Sequence, residues 1–74
     1  MKHDSLIRMA NQIGTFFESM PDQAEALSGI ASHLRKFWDP RMRRALLNLC
    51  EGPHAEELSE IVRQAVRRHG LALE

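Results

Sequence analysis

The side chains that could ligate a metal or act as a nucleophile are few: His3, His33, Cys50, His54 and His69. Their spacing matches no metal-ligand set, and a single cysteine excludes both an internal disulfide and a four-thiolate centre. Cys50 and His54 are four residues apart, a separation that would align a thiol and a base on one helix face. Gly52-Pro53 breaks the helix between them, however, and no third group is placed to orient the imidazole. There is no GxGxxG turn, no Walker-type phosphate loop and no carboxylate pair set to raise a pKa. The sequence therefore predicts a chain with no catalytic, cofactor-binding or metal-ligating residues of its own, its histidines lying at the surface.

The chemistry that does concentrate is that of recognition. From His33 to Arg44 the chain carries five of its ten basic side chains, Arg35, Lys36, Arg41, Arg43 and Arg44, and one acid, Asp39. Residues 9–34, by contrast, hold Glu18, Asp22 and Glu25 with no Lys or Arg, so a neutral total conceals a dipolar arrangement. Inside the basic stretch Phe37-Trp38 precedes the rigid Asp39-Pro40. Arginine and large aromatics are over-represented where interfaces concentrate their binding energy. Arg35, Phe37, Trp38, Pro40, Arg41 and Arg43 are thus candidate partner-interface residues, with Arg41 and Arg43 expected to project outward on either side of a buried Met42. Phe37 and Trp38 fit a core as well as an interface, and the arginines fit a solvated rim as well as a contact. A second candidate surface lies on the back of the same helix, where Ala26, Gly29 and His33 leave the face nearly bare. Gly29 costs about 1 kcal/mol relative to Ala within a helix, which close approach of another backbone would explain. Ile7 and Leu47 also fall off their helices' main apolar stripes.

These residues must be positioned by helices. The chain has 74 residues, 43% of them apolar and 27% charged, with ten Lys and Arg against ten Asp and Glu. That is enough for one small domain, 1–74, and the zero net charge argues against general affinity for nucleic acid or anionic lipid. No apolar run approaches the roughly 20 residues of a membrane span or the 7 to 15 of a signal-peptide core, so a soluble, cytoplasmic protein is expected. Apolar residues at steps of three and four predict helices over about 5–20, 21–37, 40–50 and 54–69, an all-α bundle whose third helix is short. Asp4 or Ser5 would cap the first, Pro21 would sit in the opening turn of the second, and Asp39-Pro40 would start the third. Gly52 is expected to supply a left-handed stop. Glu56 and Glu57 would open the fourth helix and Gly70 would end it, leaving 71–74 as a frayed tail whose closing Leu73-Glu74 has the look of a cloning scar. No strand signal, repeat or low-complexity stretch is present.

Several runs together resemble a known family. Arg8-Met9-Ala10-Asn11-Gln12-Ile13, Phe16-Phe17, Gly29-Ile30-Ala31, His33-Leu34-Arg35, Phe37-Trp38 and Pro40-Arg41-Met42-Arg43 are similar to the delta subunit of the soluble, molybdenum-containing, NAD-dependent formate dehydrogenases. The resemblance covers about residues 6–47, and the last helix rests on periodicity alone. It implies a cytoplasmic, non-catalytic accessory subunit that docks on the large alpha subunit and aids its assembly or stability. That alpha subunit would carry molybdopterin and iron-sulfur clusters, and beta and gamma subunits would pass electrons through FMN to NAD. The alternative is a small helical nucleic-acid-binding or other protein-interaction module, in which the five basic residues of the corner would meet phosphates.

Overall fold

The computed structural model describes residues 3–73, with the backbone alone at 71 and 72. Four α-helices follow one another, α1 (His3–Glu18), α2 (Gln23–Phe37), α3 (Pro40–Glu51) and α4 (Glu60–Leu73), with a single 3-10 turn at Ala55–Glu57 and no strand among the described residues. Helix α2 is central and packs on both α1 and α4, while α3 closes the remaining side against α4. The expected all-α bundle is the observed one.

Local chemistry explains most boundaries. Helix α1 ends at Glu18, two residues before Met20, because the chain tightens there: Met20 N–H bonds the Phe17 carbonyl at 3.1 Å and Ser19 Oγ donates to the Phe16 carbonyl. Asp4 and Ser5, expected to cap it, lie inside its first turn instead, because the helix already runs from His3; the residue before His3 lies outside the described residues. Helix α2 is capped by Asp22, whose Oδ1 accepts the amides of Ala24 and Glu25 at 2.9 and 3.3 Å. Pro21 is therefore outside the helix rather than in its first turn, since the carboxylate one residue later satisfies two orphan donors. Asp39 caps α3 through the Met42 amide at 2.9 Å, with Pro40 in the first turn as its fixed φ permits. Gly52 ends α3 in extended conformation, φ −102° and ψ −174°, not the left-handed one expected.

The fourth helix differs most from its sequence pattern. After Gly52-Pro53 the chain makes the 3-10 turn, and Leu58 follows in extended conformation, φ −82° and ψ 140°, driving its side chain into the core at 1% exposure. Asn11 on α1 clamps this connection: its amide donates to the Glu57 carbonyl at 3.0 Å, and its Oδ1 accepts the Ser59 N–H at 2.8 Å. Helix α4 accordingly begins at Glu60 rather than 54, and Glu56 and Glu57 precede it instead of opening it. At its other end Gly70 does not stop the helix. A kink at His69, φ −117° and ψ 18°, lets the chain continue to Leu73, which is buried at 2% exposure. The expected tail at 71–74 is thus helix as far as Leu73; Glu74 lies outside the described residues.

The core joins Leu6 and Ala10 of α1, Leu27, Ile30 and Leu34 of α2, Leu46 and Leu49 of α3, and Val62, Ala65 and Val66 of α4. Ile7 belongs to it as well, at 8% exposure, although it falls off the main stripe of α1; Leu47 is half-buried. Gly14 permits the close approach of α1 and α4. A Cβ there would stand 2.9 Å from both Ser59 Oγ and Val62 Cγ2 and 3.1 Å from Ile61 Cγ2.

Candidate functional site

A groove of about 540 Å³ runs where α1 meets α2 and the chain leaves α2. Met9, Ile13, Phe16 and Phe17 supply the α1 side, and His33 and Trp38 the other. Phe16 and Phe17 follow one another, so a helix sets them about 100° apart and only one can turn fully inward. Phe17 leans on α2 half-buried, and Phe16 stands 72% exposed with its ring edge-on to Phe17 at 5.1 Å. The other aromatic pair is split by the backbone. Phe37 is the last residue of α2 and stays 72% exposed, its ring 4.7 Å from that of His33. Trp38 adopts φ −97° and ψ 139°, and this switch from helical to extended turns its indole into the core at 7% exposure.

The candidate interface residues therefore divide. Phe37, Arg35, Pro40 and Arg41 are exposed, and His33 is half-buried at the groove. Trp38 is part of the core, lending the groove only an edge. Gly29 is covered by α1: a Cβ on it would lie 2.5 Å from Phe17 Cε1, so the back of α2 is an internal seam rather than a bare face, and Ala26 is buried in it at 1% exposure. The approach that a mid-helix glycine suggested is real, but a phenyl ring makes it. Arg43 turns inward instead of outward. Its Nη1 donates to the carbonyls of Arg35 at 3.0 Å and Trp38 at 2.8 Å, and its Nε to that of Leu73 at 3.2 Å. One guanidinium thereby satisfies carbonyls at the C-terminal ends of α2 and α4, where a cation also complements the helix dipoles.

Phe16 is the groove residue that sequence periodicity missed, because it shares the three-and-four spacing of the apolar stripe; its adjacency to Phe17 was the available signal. Elsewhere, burial pushes the Cys50 thiol above its ordinary value of 9.0, against the opposing pull of Arg63 and Arg67. His54 is engaged with Glu57, Nδ1 to Oε2 at 2.8 Å. Among the described residues no three His, Cys, Asp or Glu side chains converge in a way that could hold a metal ion, and no helix is long and apolar enough to cross a membrane.

Fold and surface together define a small all-helical bundle that keeps an aromatic groove open beside a basic corner. Residues 5–66, most of the chain, match the family model of the NADH-dependent formate dehydrogenase delta subunit FdsD, and the chain belongs to that family. The match extends through the first half of α4, beyond the 6–47 that carry the resemblance in the sequence. No curated protein and no solved structure matches the chain.

Proposed function

We propose that this chain is a non-catalytic accessory subunit of a cytoplasmic NAD-dependent formate dehydrogenase, docking on the large molybdenum-bearing subunit and aiding its assembly or stability. Family membership supports the complex, and the exposed Phe16 and Phe37 beside the α1–α2 groove support a docking role. Fully burying a Phe side chain is worth about 1.5 to 3 kcal/mol, so two exposed rings, Phe16 lining an apolar groove and Phe37 against its His33, hold a reserve that folding of the isolated chain leaves unused. Arg35 and Arg41 provide charges that would steer and orient an acidic partner surface. In this reading molybdopterin, the iron-sulfur clusters, FMN and NAD reside in partner subunits. The donor set of this chain does not fit them: one cysteine cannot hold a thiolate-ligated cluster.

The test is co-purification of the large subunit with the Phe16→Ser/Phe37→Ser variant. Both positions are exposed, so the variant should keep the helical circular dichroism and melting temperature of the parent, while affinity for the large subunit should fall about 30-fold or more per hot-spot residue. Trp38→Ala is the contrasting control, expected to destabilise the isolated chain by about 3 to 5 kcal/mol because its indole is core. Undiminished capture by the double variant would remove the groove from the interface, and formate-dependent NAD reduction by the isolated chain would overturn the non-catalytic assignment.

A further inference from the structure

A second cleft, of about 780 Å³, opens between α3 and α4 and shares no lining residue with the aromatic groove. Its floor is apolar, formed by Leu47, Cys50 and Val66, and its walls are cationic, with Arg63, Arg67 and Arg68 against one lining carboxylate, Glu51. Arg63 and Arg67 are four residues apart on α4 and so stand side by side on one face. Both line the cleft together with Cys50 and Glu51.

Among the described residues these arginines have no ion-pair partner. Among the described residues none of them has a carboxylate within 4.0 Å, the pair that meets that distance being His54 with Glu57. Arg63 goes further: its Nε–H is sealed from solvent and has no hydrogen-bond acceptor among the described residues. Buried donors in folded proteins are nearly always satisfied, and three guanidinium groups lining one cleft beside a single carboxylate favour a further oxyanion there. Paired arginines favour the planar, two-oxygen geometry of a carboxylate or phosphate. The remaining features select between those sources. The volume is that of a pocket for several side chains rather than for one ion, and a bare anion would leave the apolar floor uncovered.

We propose that the α3–α4 cleft binds an acidic segment of a partner chain, a carboxylate seated between the guanidinium groups of Arg63 and Arg67 while an adjacent apolar side chain covers Leu47 and Val66. The site stands apart from the aromatic groove, and its test does not require the formate dehydrogenase complex. The full chain is titrated with the acetylated and amidated peptide Glu-Leu-Leu-Glu and, separately, with inorganic phosphate, following the arginine Nε–H resonances by NMR together with the heat of binding. The peptide should shift the Arg63 and Arg67 Nε–H signals saturably and slow the exchange of the exposed Arg67 Nε–H with water. Arg67→Gln, at an exposed position that leaves the fold intact, should weaken the peptide about tenfold, the effect of one charge-assisted hydrogen bond. Arg63→Gln should weaken it at least as much, and the Arg67 variant decides the question if the half-buried Arg63 proves necessary for folding. Phosphate binding as tightly as the peptide would overturn the assignment to a chain segment. No saturable response to either probe, or an Arg67→Gln variant that binds the peptide like the parent, would overturn the site.

Discussion

Replacing Arg43 with methionine removes three hydrogen bonds while keeping the length and apolar character of the stem. The bond to the Arg35 carbonyl is exposed and contributes little, whereas those to Trp38 and Leu73 are partly buried, at 2.8 and 3.2 Å. Hydrogen bonds from a charged donor are worth about 1.5 to 3 kcal/mol each. The two inner ones are not additive, and water will reach part of what is vacated, so the loss should be about 2 to 4 kcal/mol. That is most of the roughly 3 to 5 kcal/mol a core of this size supplies. In a domain of 60 to 100 residues each kcal/mol moves the melting temperature by about 4 to 8 °C, so Arg43→Met should melt at least about 8 °C below the parent. Arg41→Met is the matched control: its side chain is exposed, and the change should stay within about 0.5 kcal/mol. Arg43→Lys should restore little, because a point-like ammonium cannot serve three carbonyls arranged for a planar fork. Thermal and urea unfolding followed by far-ultraviolet circular dichroism compare the three, and amide hydrogen exchange locates the damage. The last turn of α4 should exchange fastest in Arg43→Met, since the latch ties Leu73 to the end of α2. If Arg43→Met and Arg41→Met unfold together, the internal latch is wrong and Arg43 is a surface residue.

Two further outcomes follow from the contacts of α1. Gly14→Val places its side chain where Ser59, Val62 and Ile61 already approach to about 3 Å, so overpacking should cost about 1 to 3 kcal/mol in urea unfolding; a neutral result would show that α1 and α4 can part without penalty. Asn11→Ala frees the Glu57 carbonyl and the Ser59 amide at once and should lower stability by about 1 to 3 kcal/mol, with faster amide exchange at Ser59 and the first turn of α4 as its local signature; unchanged exchange there would refute the clamp.

How far the site was legible depends on whether its determinants were local. Asp39 announces its own role, because a carboxylate followed by proline caps a helix with atoms two or three residues away, and the structure has that bond. Phe37 and Trp38 could be marked as aromatic neighbours but not sorted, since which ring turns inward depends on the backbone leaving α2 at Trp38. Gly29 signalled a close approach without naming the ring of Phe17 that makes it. Arg43, read by its place in the first turn of α3, pointed outward; the carbonyls that draw it in come from α2 and α4, up to 30 residues away.

The sequence by itself therefore determined the all-α class, the positions of all four helices to within a few residues at most ends, and the Asp39 cap at the corner between α2 and α3. Each of these follows from periods of three and four residues or from side chains bonding backbone amides within one turn. Tertiary structure decided the rest: that Asn11 sets where α4 begins, that Leu73 is core rather than tail, that Phe16 and Phe37 stay in water while Trp38 does not, and that the Arg63 Nε–H is left without an acceptor among the described residues. These depend on which surfaces meet when four amphipathic helices pack together, and a stripe of apolar residues specifies that a face is buried without specifying what is buried against it.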